Sequence, residues 1–126
     1  MQRKRGFTLI EVLLVMVIIA ILVSVLVPRW ASTRERVFQA AMKSDLRNLA
    51  TAEESYYYEH AAYTTSLSGL NGFRESQGVS ITVNQATAGG WSATASHRSA
   101  SKQCYLFVGS AAPLGAASAE GQMACQ

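Results

Sequence analysis

A chain of 126 residues with a formal charge of +3 has room for one small domain at most beyond any membrane segment. Arg3, Lys4 and Arg5 account for the whole excess: eleven basic residues less these three leaves eight, against eight acids. The balanced remainder argues against a nucleic-acid surface, and two histidines without clustered cysteines signal neither a metal centre nor a catalytic constellation.

The basic leader runs through Gly6 into an apolar stretch from Phe7 to Val27, interrupted by one acid, Glu11, and closed by Pro28. At 1.5 Å per residue this stretch spans about 31 Å as a helix, enough for a hydrocarbon core of about 30 Å. It is too long for the apolar core of a secretory signal, and Arg29 and Trp30 stand where a small-residue cleavage site would be needed. The positive-inside rule holds Arg3, Lys4 and Arg5 in the cytoplasm. Arg29, Arg34 and Arg36 on the far side weaken that asymmetry. A plain anchor leaves Gly6 at the border and Glu11 one turn into the helix unexplained, and a carboxylate at the bilayer centre costs about 2.5–3.5 kcal/mol.

The run Lys4-Arg5-Gly6-Phe7-Thr8-Leu9-Ile10-Glu11 resembles the processing site of type IV pilins and pseudopilins. The resemblance implies cleavage between Gly6 and Phe7 by a prepilin peptidase and N-methylation of Phe7. It also makes Pro28 the site of a helix kink. Ala20 stands where many members have glycine. A freed amine on Phe7 of one subunit would pair with Glu11 of another, turning two costly charges into one satisfied pair. The apolar helix is then stored in the membrane and reused as a filament core.

Beyond Pro28 the pattern becomes amphipathic. Phe38, Met42, Leu46, Leu49, Ala52 or Glu53, and Tyr56 recur at helical spacing, with Arg34, Arg36, Lys43, Asp45, Arg47, Glu53 and Glu54 populating the rest. One helix from about Thr8 to Tyr58 is expected. From Ala61 the composition turns to Ser, Thr, Gly and Ala. Residues 64–73 read as a loop pinned on the helix by Leu67, Leu70 and Phe73. Val79–Val83 and Trp91–His97 alternate as strands about the Gly89-Gly90 turn, and Cys104–Val108 makes a third. A segment at 123–125 returns beside it.

Cys104 and Cys125, an even pair far from the apolar run, read as one disulfide in an oxidising compartment. Two free thiols or half a metal site are the alternatives, and no CxxC supports the latter. The expected fold is α+β: a long N-terminal helix packed on a small antiparallel sheet of three to four strands. Its segments are a removable leader (1–6), a transmembrane and filament-core helix (7–30), an amphipathic half (31–60) and a loop-and-sheet region (61–126).

The resemblance implies a structural subunit with no enzymatic activity and no cofactor. It is held in the bacterial inner membrane with its C-terminal region periplasmic, then assembled by the pilus machinery into an extracellular homo-oligomeric filament for adhesion, motility or uptake. A minor pilin, a type II secretion pseudopilin and a membrane-tethered binding module are the alternatives. The major secretion pseudopilin typically carries a carboxylate-rich calcium site in its C-terminal loop. Here no Asp follows Asp45, and only Glu75 and Glu120 lie beyond Ala61. The tyrosines at 56–58 and 63 read as packing at a helix end, and His60 beside Glu59 lacks a third ligand or a nucleophile.

Overall fold

The computed structural model describes residues 6–126; the leader cations Arg3, Lys4 and Arg5 lie outside the described residues. The chain divides into two compact units, Met1–Arg34 and Glu35–Gln126. Helix α1 is assigned over Leu9–His60, with Pro28 inside it. Strands β1 (Val79–Ala86), β2 (Gly90–His97), β3 (Cys104–Gly109) and β4 (Ala124–Cys125) follow.

In the first unit α1 is apolar on all sides from Val12 to Val27, and every described residue is exposed. The second unit holds the core. Its four strands form one antiparallel meander in the order β1-β2-β3-β4. Met42, Leu46 and Leu49 of α1 are fully buried among Val79, Ile81, Val83, Trp91, Ala93, Ala95 and Leu106. Spacings of four and three put the helical residues on one stripe. The two alanines of β2 leave room for that stripe to approach the sheet.

Strand β1 alternates cleanly through Val83, then shifts register between Val83 and Gln85. This bulge carries the strand three residues beyond the expected Val79–Val83 segment. Gly90 faces Gly109 across β2 and β3, and Gly109 has φ +67. A Cβ on either would collide with the opposing backbone, so the close approach requires glycine at both places.

Helix α1 ends two residues later than expected. Ala61 then turns left-handed at φ 54, and its N–H donates to the Tyr57 carbonyl at 2.7 Å. The expected loop contains a 3-10 turn, Leu67–Gly69, and Leu67, Leu70 and Phe73 do pack on the core.

Asp45 differs from expectation, lying buried at 1% exposure instead of on a polar face. Its carboxylate is satisfied there by the N–H and the hydroxyl of Ser76, at 2.6 and 2.7 Å. Burial of such a group is tolerated when its lone pairs are met.

Candidate assembly site

Gly6, Phe7 and Thr8 precede the first turn of α1, and Phe7 is 85% exposed. An added Cβ at Gly6 meets nothing within 4 Å. Thr8 and Glu11 cap the helix reciprocally. The Glu11 N–H donates to Thr8 Oγ1 and the Thr8 N–H donates to Glu11 Oε2, both at 3.4 Å. This is a capping box in a loose form. Its Thr-x-x-Glu signature was present in the sequence beside the processing motif, and it gives Glu11 a role within its own chain.

Phe7, Glu11, Val12, Val15, Met16 and Ile19 line an open groove of about 380 Å³ along this end of the helix. Its wall is apolar apart from the Glu11 carboxylate. Such a surface can take a second apolar helix carrying one cation. Pro28 lies a full apolar span further on. Lacking an N–H, it leaves the Ser24 carbonyl without its helical donor.

The second unit contributes stabilising chemistry. Cys104 and Cys125 are disulfide-bonded and face each other as register partners of β3 and β4. Three carboxylates act as anchors for distant backbone N–H groups. Glu75 accepts from Ile81, and Glu120 from Gly109 at 2.8 Å. Half-buried Glu35 accepts from Ser101 and Lys102 at 3.3 and 3.1 Å. The Glu35 pKa is lowered: desolvation pushes upward, but the N–H groups of Ser101 and Lys102 and the side chains of Ser101 and Gln39 together outweigh it.

Glu53 is the unusual carboxylate. It is fully buried; Oε2 accepts the Thr64 N–H at 3.1 Å, while Oε1 has no partner among the described residues. Burial raises its pKa, only partly offset by the Thr64 hydrogen bond, and neighbouring Glu54 adds to the rise. Trp91 Nε1 is the other buried side-chain polar atom without a partner among the described residues.

The aromatic residues at the helix end pack as stacked pairs. Tyr56 lies on His60 and Tyr57 on Tyr63, with ring centroids at 4.0 and 4.8 Å. Desolvation, followed by hydrogen bonding to Glu54, pushes Tyr63 up to about 12. Among the described residues no three His, Cys, Asp or Glu side chains converge as a metal site.

Residues 1–27 match the family model described as the prokaryotic N-terminal methylation motif. The chain is 39% identical over 70 residues to the type II secretion system core protein G of Klebsiella pneumoniae, covering 56% of this chain and 50% of the relative. It is 36% identical over 70 residues to the type IV wide pilus major component PilA4 of Thermus thermophilus, covering 56% and 53%. To the type IV major pilin protein PilA of Myxococcus xanthus it is 39% identical over 62 residues, covering 49% and 28%. The chain thus spans about half the length, or less, of these curated relatives.

Proposed function

We propose that the chain is a structural subunit of a type IV pilus filament, a reading supported by its N-terminal methylation motif, by its similarity to type IV pilins and secretion pseudopilins, and by its long helix packed on a small antiparallel sheet. The observation that carries this reading is the groove beside Phe7, in which a single carboxylate, Glu11, interrupts an otherwise apolar helix. In the proposed sequence residues 1–6 are a leader. A peptidase cuts between Gly6 and Phe7, and Phe7 is methylated on its new amine. The helix of residues 7–30 waits in the inner membrane, with residues 31–126 on the periplasmic side. On assembly, the Phe7 amine of one subunit docks beside Glu11 of another. Pro28 bends the helix where it leaves the apolar layer. The apolar surface supplies the bulk of the association, and the charge pair fixes register.

The role is structural, without catalysis or a cofactor. The filament serves adhesion, motility or uptake. Electron microscopy of sheared surface material, with mass spectrometry of its main component, tests this reading. Filaments built mainly of this chain, starting at a methylated Phe7, are expected. Surface filaments without it would remove the pilus assignment.

A second reading is a type II secretion pseudopilin, favoured by the relative from Klebsiella pneumoniae. Against it, the only carboxylates beyond Ala61, Glu75 and Glu120, each accept a backbone N–H within their own chain. Loss of a secreted enzyme on deletion, with surface filaments unchanged, would favour this second reading.

A further inference from the structure

Val23, Leu26, Val27, Trp30, Ala31 and Arg34 line an open groove of about 460 Å³ on one face of α1, within the first unit. The groove is apolar at its N-terminal end and finishes on an indole and a guanidinium. Trp30 is 69% exposed. Among the described residues neither Arg29 nor Arg34 has a hydrogen-bonded or ion-paired acid. The acid next in sequence, Glu35, instead accepts the N–H groups of Ser101 and Lys102. These cations are two of the three residues that weaken the expected charge asymmetry across the membrane, and filament assembly through Phe7 and Glu11 makes no use of them.

We propose that this face is a binding site for an anionic phospholipid of the outer, periplasmic leaflet of the inner membrane. The proposal rests on the reading that residues 7–27 span that membrane. Arg29 and Trp30 then sit about 3 and 5 Å beyond the last apolar residue, Val27, and Arg34 about 10 Å beyond. The headgroup layer is about 5–7 Å deep on each side. An acyl chain lies along Val23, Leu26 and Val27, and Trp30 occupies the interface, where amphipathic rings collect. The guanidinium of Arg34, reaching down as long cationic side chains do, meets the phosphate as a planar fork, with Arg29 adding charge. The leader cations hold the opposite leaflet. Together the two clusters fix the depth of a stored subunit at both ends.

The test uses the full chain, leader retained, in nanodiscs of equal phosphatidylcholine and phosphatidylglycerol. Lipids retained on mild detergent extraction are quantified by mass spectrometry. Enrichment of phosphatidylglycerol on the unaltered chain is expected to fall about fivefold for each of Arg29→Gln and Arg34→Gln, matching about 1 kcal/mol per basic residue near an anionic surface. Unchanged enrichment in the double variant would overturn the proposal, because the leader alone would then hold the lipid. Alkaline extraction of the parent membranes separates the premise from the proposal. A chain that resists extraction yet shows no enrichment refutes the lipid site alone, whereas a chain that is extracted refutes the membrane reading and the site together. Lost filaments with lipid retention unchanged would assign this face to a second copy of the chain and also overturn the lipid site.

Discussion

Asp45 grips Ser76 twice across 31 residues of chain, by the backbone N–H at 2.6 Å and the hydroxyl at 2.7 Å. This clamp fastens the segment that leads into β1 to the middle of α1. Asp45 is buried beside Leu46 in sequence, whereas Ser76 lies at the surface three residues before the buried Val79. Hydrogen bonds to a charged partner contribute about 1.5–3 kcal/mol. Asp45→Ala is therefore expected to cost about 3 kcal/mol in denaturant unfolding. Ser76→Ala, which keeps the N–H donor, should cost about 1 kcal/mol. Equal losses from both variants would show that the backbone bond contributes little.

Glu53 should make the protein less stable as pH rises. Its pKa is raised on folding by burial, so the folded state takes up a proton more readily than the unfolded chain. The associated stability is fully present below the unfolded value of 4.5 and is lost as pH rises through the higher folded value. Glu53→Gln keeps an oxygen for the Thr64 N–H and removes the charge. It should raise the melting temperature at pH 7 by about 3 °C and flatten its decline above pH 4.5. A variant that melts lower at neutral pH would mean that the ionised carboxylate has a compensating partner.

Cys104 and Cys125 close a loop with a sequence separation of 21. A cross-link over such a loop is worth about 3 kcal/mol in the chain-entropy model. Replacing both by serine should cost that amount in equilibrium unfolding and detach the two-residue strand β4 first, seen as faster amide exchange at Gln126 and Gln103, whose backbones are mutually bonded. Protection unchanged at those two amides would show that β4 holds without the bridge.

The cap that Glu11 makes and the intersubunit pairing proposed for it are separated by one pair of substitutions. Its side chain reaches back to the Thr8 N–H as a helix cap, a task glutamine also performs. Only the charge can pair with a neighbouring amine. Glu11→Ala and Glu11→Gln are both expected to insert in the membrane and both to abolish or stunt filaments. Removing one partner of a buried pair costs about 3–5 kcal/mol per contact. Normal filaments from the glutamine variant would leave capping as the sole role of Glu11.

Gly6→Arg tests the cut without disturbing the fold, since a side chain there starts in open space. The chain is expected to stay in the membrane with its leader attached, read by intact mass. A product correctly shortened to Phe7 would place the recognition elsewhere.

The N-terminal third of the chain was legible because its information is local. The methylation motif over residues 1–27, with its single carboxylate at Glu11 in an otherwise largely apolar run from Phe7 to Val27, needs no tertiary partner to be recognised. Residue order also determined the amphipathic stripe of Met42, Leu46 and Leu49, the meander and the cysteine pair, through periodicity, turn residues and parity. Only the tertiary structure decided which charges go inside. Spacing left Ala52 and Glu53 as equal candidates for the buried stripe, and nothing in the pattern set Asp45 apart from the charges that remain in solvent. Burial of Asp45 and Glu53 depends on Ser76 and Thr64, 31 and 11 residues away, and Glu35 finds its donors 66 and 67 residues on. A buried charge is decided by the partner the folded chain delivers to it, and side-chain periodicity carries no record of that partner.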